Sequence, residues 1–318
     1  MNLYKTITRY PRPVIAIFIL HLFLFTNNSV RAEKMIWNKE SGWVDVQKLT
    51  KDTLDQRYRR ALALITDQQY IYGIKELKEI IKDAPDSEFT EPAMFNIAHA
   101  FSLASDYKKA FNTYEEFLNN NPGSRRTEEV IEKQYNLAIT QMEGLETRAA
   151  IRMFEKIIEH NPLGSYAADS QVKIADCNRK LKKFDVAIEN YETLIEEFSD
   201  SAWVPYAQYQ IPICKVEDER RQDRNYGLLT EAEDGFEDYM ANNPTGTLVD
   251  DVKKKMDEIM TAKAEREYEI GEFYLRRKKP KAAKVYFEMV EKEFSGTVWA
   301  IKASQKLQFL EDIGAIRK

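Results

Sequence analysis

The chain is poor in the residues that build nucleophile and metal sites. It holds two cysteines and three histidines in 318 residues. No CxxC, HExxH, P-loop or GxSxG motif occurs, so the usual spacings for redox, zinc-hydrolase, nucleotide and acyl-transfer chemistry are absent. His99 and His160 stand far apart, and two cysteines and two histidines without ligand spacing make no zinc site. The expectation is a protein that is not an enzyme, with no cofactor and no metal. A basic excess is also lacking, since the formal net charge is −5. An acidic chain without basic–aromatic alternation has no general attraction for nucleic acid. Segments that alternate with the two-residue period of a strand are not evident either.

Long hydrophobic runs are missing too. The apolar run Val14–Phe25 follows Lys5, Arg9 and Arg12 and precedes Val30 and Ala32, which occupy the small-residue positions of a cleavage site. Twelve residues are too few to span a bilayer comfortably, and the layout is that of a secretory signal peptide over 1–32. Beyond residue 32 the chain carries 43 basic against 52 acidic residues, a net −9. Cys177 and Cys214 both lie beyond it, so neither stands at the cleavage site to accept a lipid. They follow Pro162 and Ser199 by the same 15 residues and so hold equivalent places in successive units. Equivalent points on packed helices sit about 8–10 Å apart, further than the roughly 7 Å a disulfide allows, which predicts two free buried thiols.

What is present is a ruler. A small residue is followed four positions later by a large apolar one, and eight after that by Pro or Ser. The six instances are Gly73-Leu77-Pro85, Ala110-Tyr114-Pro122, Ala150-Phe154-Pro162, Ala187-Tyr191-Ser199, Ala232-Phe236-Pro244 and Ala283-Phe287-Ser295. They recur after 37, 40, 37, 45 and 51 residues. Twelve residues upstream of five of them stand Ala61, Ala98, Ala138, Ala175 and Gly271; the fifth block, Ala232, reaches Pro212 if eight extra residues are allowed. Two small anchors per unit mark a first helix (A) and a second (B) that approach closely, flanked by apolar residues at i, i+3/i+4 and i+7. Self-similarity at this period marks a stacked helical repeat.

Pro, Gly, Asn and Asp between blocks end one helix, and the following Ser or Thr can cap the next. Pro280 suits a first helical turn. The reading is all-α: a right-handed α-solenoid of about six helix pairs with a C-terminal capping helix. Its segments are a signal peptide at 1–32, an N-terminal arm or small hairpin at 33–52, repeats 1–2 at 53–126, repeats 3–4 at 127–201, elongated repeats 5–6 at 202–297, and a cap at 298–318. The charged stretch 215–227 reads as a solvated helix extension plus loop, and 248–270 as one lengthened helix.

These residues resemble the tetratricopeptide repeat, in which a small residue of helix A is followed by an Ala twelve later, an aromatic four on and a Pro twelve after that Ala. Ala98-Ala110-Tyr114-Pro122 and Ala138-Ala150-Phe154-Pro162 fit in full. The Pro-x-Ser turns and the last unit, Ala264 to Thr297, are similar to the outer-membrane assembly factor BamD and its relatives. That family is made of periplasmic-side solenoids that help deliver and fold β-barrel proteins into the outer membrane. Its members are typically lipoproteins with five repeats; this chain has no acceptor Cys at its cleavage site, and six repeats are counted here.

The repeat resemblance implies that the position three before each helix A anchor faces the concave side. Tyr58, Leu62, Phe95, His99, Tyr135, Ile139 and Met142 would then form an aromatic and aliphatic trough, which turns polar at Asp176, Arg179 and Glu272. Such residues can anchor an extended peptide, and they equally suit helix–helix core. The functional expectation is a periplasmic scaffold, BamD-like, that binds client peptides and a membrane-embedded partner of a β-barrel assembly complex. It would sit peripherally at the outer membrane through its partners. The alternative is an adaptor for cell-envelope or cell-wall machinery. Intact-mass analysis of protein recovered from the envelope is expected to give a chain beginning at Glu33, and retention of residues 1–32 would overturn the cleaved-signal reading.

Overall fold

The computed structural model describes residues 35–38, 42–45, 52–144, 146–221 and 226–316; the expected signal peptide at 1–32 lies outside them. The chain divides into two units, 1–53 and 54–318. Described in the first unit is an antiparallel pair, β1 (Met35–Asn38) and β2 (Gly42–Asp45), in register with Trp37 opposite Trp43.

The second unit is a run of thirteen helices among the described residues. Six A–B pairs come first: α1 (Leu54–Thr66) with α2 (Tyr70–Asp83), α3 (Thr90–Leu103) with α4 (Tyr107–Asn120), and α5 (Thr127–Glu143) with α6 (Thr147–His160). They continue as α7 (Ala167–Lys180) with α8 (Phe184–Glu197), α9 (Val204–Arg221) with α10 (Tyr226–Asn242), and α11 (Val249–Arg276) with α12 (Pro280–Glu293). Helix α13 (Val298–Asp312) closes the array. Among the described residues each helix packs on the next, with lesser contacts between alternate helices at the two ends of the array. This is the all-α tetratricopeptide solenoid, in which each unit is stabilised by its neighbours. No described helix is long and apolar enough to cross a membrane.

The anchors explain why the pairs close. Ala61, Ala98, Ala138 and Ala175 on the A helices are fully buried, as are Ala110, Ala150, Ala187, Ala232 and Ala283 on the B helices. A Cβ placed on Gly73 would stand 2.9 Å from the Ala61 carbonyl oxygen and 2.6 Å from Ile65. One on Gly271 would stand 2.6 Å from the Phe287 ring. The large residue four past each B anchor then fills the gap: Leu77, Tyr114, Phe154, Tyr191, Phe236 and Phe287 are all buried. Each such side chain contributes about 1.5–3 kcal/mol. In the stretched fifth unit Pro212 lies inside α9 against Gly235 of α10, so the register with eight added residues is the one used.

Helix A ends by a device the sequence hides. Gln68, Ser105, Lys182 and Lys278 have φ near +60°, and each stands seven residues past its A anchor. The following N–H donates five residues back: Gln69 to Leu64, Asp106 to Phe101, Lys183 to Asn178 and Lys279 to Tyr274. This is the Schellman closure, normally served by glycine. Here L-residues accept a left-handed conformation costing about 1–2 kcal/mol each, which packing of the pair offsets.

Two details correct the sequence reading. Side-chain caps are formed by Asp106 on α4 and Thr297 on α13, whereas the Ser124 and Ser201 hydroxyls accept from Arg126 and Trp203 two residues on, within the turn. The charged end of α9 is not uniformly solvated. Asp218 and Glu219 are buried, because α9 is long and its last turns lie against α10. Both cysteines remain thiols; burial pushes Cys177 up to about 11 and Cys214 up to about 12, so neither is a reactive thiolate at neutral pH.

Gly73→Val is expected to cost about 3 kcal/mol, at the upper end of the overpacking range, with a lowered Tm in thermal unfolding followed by circular dichroism. Gly123→Ala, which meets nothing within 4 Å, is expected to leave Tm unchanged.

Candidate peptide-binding face

The trough is built from the A helices, so its depth depends on how each A helix side chain is covered. Phe95 is buried; Tyr58, Leu62, His99, Tyr135, Ile139 and Met142 are half-buried. The aromatic members lie against the B helix aromatic of their own pair. Phe95 meets Tyr114 with centroids 5.8 Å apart, and Tyr135 meets Phe154 at 5.6 Å. The same contact recurs beyond the proposed trough as Tyr209–Phe236 at 5.9 Å and Tyr268–Phe287 at 5.1 Å. One stripe therefore serves both as inter-helix core and as the floor of the A helix face.

A second partner, unforeseen in the sequence reading, lies 31 residues further along. Phe89 stacks on Tyr58 at 5.4 Å, Arg126 places its guanidinium 4.6 Å from the Phe95 ring, Tyr166 lies 5.0 Å from Tyr135 and Trp299 lies 5.3 Å from Tyr268. Each covering residue stands 16 positions after its B anchor, at the mouth of the next A helix. Leu248 holds that place in the fifth unit, in one cluster with Tyr209, and the eight-residue insertion lengthens the interval by the same eight. That fixed interval was the available signal. Tyr58 also receives a hydrogen bond from Asn96 Nδ2 at 2.9 Å, and burial raises its phenol above the usual range.

What remains open to a ligand is the neighbouring row. Leu62, His99 and Ile139 sit one position past the A anchors, with Met142 a turn beyond. Leu62 joins the first unit's core, while Ile139 and Met142 border the continuous core of units two and three. His99 is held below the ordinary histidine range, first by burial and then by the Lys133 charge, so it stays neutral near pH 7.

Met142 leads into a cleft of about 760 Å³, lined also by Asp176, Arg179, Phe184, Tyr206 and Glu217. Its polar floor is organised. Asp176 Oδ1 accepts from the Tyr191 hydroxyl at 2.6 Å and from the Tyr206 hydroxyl at 3.0 Å. Both phenols are pushed well above their usual range, first by burial and then by the Asp176 charge. Arg179 Nη1 donates to Glu217 at 2.8 Å, while its buried Nε has no hydrogen-bond partner. A second polar bridge, His160 Nε2 with Glu115 Oε2 at 2.8 Å, ties α6 to α4. His160 thus serves packing between helix pairs and lies apart from the cleft lining.

The YfiO family model, described as outer membrane lipoprotein, matches residues 131–311, and a tetratricopeptide repeat model matches residues 92–124. No curated protein matches the chain. Solved structures similar to it include the MamA protein, at 18% identity over 60% of this chain and 92% of that one, with a TM-score of 0.35. YrrB, described as a TPR protein with an unusual peptide-binding site, is 13% identical over 66% of this chain and 96% of that one, with a TM-score of 0.36. The type III secretion translocator chaperone SycD of Yersinia enterocolitica is 20% identical over 44% and 96%, with a TM-score of 0.34.

Removing one hydroxyl separates the two kinds of buried tyrosine. Tyr191→Phe deletes a bond to a carboxylate and is expected to cost about 1.5–3 kcal/mol. Tyr114→Phe removes a buried hydroxyl without a partner and is expected to be neutral or to stabilise by about 1 kcal/mol. Denaturant unfolding of both variants measures the difference.

Proposed function

The chain belongs to the YfiO family of outer membrane lipoproteins, whose model spans more than half of it, and from that premise we propose a periplasmic, non-catalytic scaffold of the BamD kind. The tetratricopeptide fold makes it a protein-binding scaffold. In the finer reading it helps β-barrel proteins assemble into the outer membrane. Apolar segments of unfolded clients lie along Leu62, His99, Ile139 and Met142, over the floor formed by Tyr58, Phe95 and Tyr135. They end in the cleft at Asp176 and Arg179. The C-terminal units hold a membrane-embedded partner.

The observation that supports a client groove is the row of half-buried apolar side chains on successive A helices running into that cleft. A stretch of A helix face that is apolar, partly open and rigidly backed presents area to a peptide at low entropic cost. The aromatic floor is held from two sides, so it stays in place when a ligand arrives.

The test must leave that floor intact. Leu62→Gln/Ile139→Gln/Met142→Gln is expected to weaken binding of an apolar extended peptide at least tenfold while the helical circular-dichroism spectrum is kept and Tm falls by several degrees, since all three side chains also border the core; roughly 1.4 kcal/mol accounts for each factor of ten. Fluorescence anisotropy with a labelled peptide reads the change, and equal affinity in the variant removes the groove. Affinity purification from envelope fractions is expected to recover a β-barrel insertase. Recovery of wall or division enzymes alone would favour the adaptor reading.

A further inference from the structure

Helix α11 ends and α12 begins in the sequence Arg276-Arg277-Lys278-Lys279-Pro280-Lys281. Five of six residues are cationic, and all five are exposed. Among the described residues none of the five has a carboxylate within 4.0 Å. Nearby acids are engaged elsewhere: Glu272 with Lys306 at 2.8 Å and Glu288 with Lys284 at 3.4 Å. Lys278 is the left-handed residue of the turn, so the backbone projects the run outward at a tip. Beside it Phe273 is 44% exposed, with the Arg277 guanidinium 5.3 Å from its ring.

We propose that this tip is a membrane-surface contact that seats the scaffold on anionic phospholipid headgroups. The proposal rests on the envelope reading above, but it is tested independently of client binding. Consecutive helices run antiparallel, so every A–B turn falls on the same edge of the array. The equivalent turns elsewhere are mixed, with exposed Lys108 and Lys183 beside exposed Asp67, Glu143, Glu146 and Asp185, so the cationic excess is concentrated at this one tip. The remainder of the molecule is acidic and is repelled by an anionic bilayer, so the field also orients the molecule with this edge inward. Phe273 and Arg276 border a cleft of about 590 Å³ with Tyr268 and Trp299, whereas Arg277, Lys278, Lys279 and Lys281 stand clear of it on exposed, flexible stems, which fits a fluid surface whose charges rearrange. An exposed phenylalanine flanked by cations is suited to the headgroup boundary.

The experiment is co-sedimentation of the full chain with vesicles of phosphatidylcholine, with and without phosphatidylglycerol. Each cation near an anionic surface contributes about fivefold in affinity. Arg276→Gln/Lys278→Gln/Lys279→Gln is therefore expected to weaken binding to the anionic vesicles about a hundredfold, and wild-type binding is expected to fall steeply with added salt. Phe273→Ala is expected to lower affinity a few-fold without changing the salt dependence. Lys75→Gln/Lys254→Gln/Lys292→Gln removes the same charge away from this edge and is expected to change binding little. The N-terminal apolar segment is common to all variants, so the anionic-over-neutral preference isolates the tip. Equal preference in the tip and control variants overturns the proposal. So does loss of an acidic protein partner from pull-downs of the tip variant while vesicle binding persists, which would make the tip a protein-docking element. Peptide affinity measured on the tip variant is expected to be unchanged, so failure of the groove and failure of the tip are distinguishable.

Discussion

The array depends on one steric condition: within each pair the two helices must approach until backbone meets backbone. Glycine or alanine at both anchors meets that condition, and a Leu, Tyr or Phe four residues later closes the remaining gap. The exchange is unequal in energy. A small anchor forgoes little burial of its own, while the closeness it permits buries a whole aromatic ring and lets dispersion contacts form on every side. Because the anchors repeat, the same local exchange occurs in five units, with Pro212 in the A place of the fifth, and stability accumulates from neighbour to neighbour.

That arrangement shapes what the molecule can do. The aromatic side chains of the A helices are committed on one flank to their own B helix and on the other to the mouth of the next unit. They stiffen the curve, and they tie each unit's orientation to that of its successor. The row beside them, Leu62, His99, Ile139 and Met142, is only half-covered. The tail of the array is finished differently. In α13 exposed Gln305 and Gln308 stand beside exposed Ile301 and Phe309, so the outer face of the last helix is of mixed polarity. Some charges tie neighbouring helices together, as Arg179 does with Glu217 and Lys306 with Glu272, while the α11–α12 tip concentrates five exposed cations.

Much of the fold was legible because small–large–turn spacing is a local pattern with a single geometric solution. The helix pairs, the close anchors and the eight-residue stretch in the fifth unit could all be read from residue types. The left-handed closure of the A helices could not. Gln68, Ser105, Lys182 and Lys278 are ordinary in composition, and only the hydrogen bonds that cross the turn reveal what they do. The burial of Asp218 and Glu219 was likewise hidden, since a charged run reads as solvated until a neighbouring helix is placed on it.

The amino-acid sequence by itself determined the repeat, the pairing of helices and the absence of familiar catalytic spacings, because these follow from side-chain size and period along one chain. Tertiary structure alone decided which side of an aromatic stripe is covered. A residue 16 positions past one anchor reaches back over the A helix of the preceding pair, and that contact exists only once two units have stacked. It also decided that Asp176, Tyr191, Tyr206, Arg179 and Glu217 meet around one cleft. Hydrogen bonds and charge pairs are set by distance in space, and distances between helices are fixed by packing.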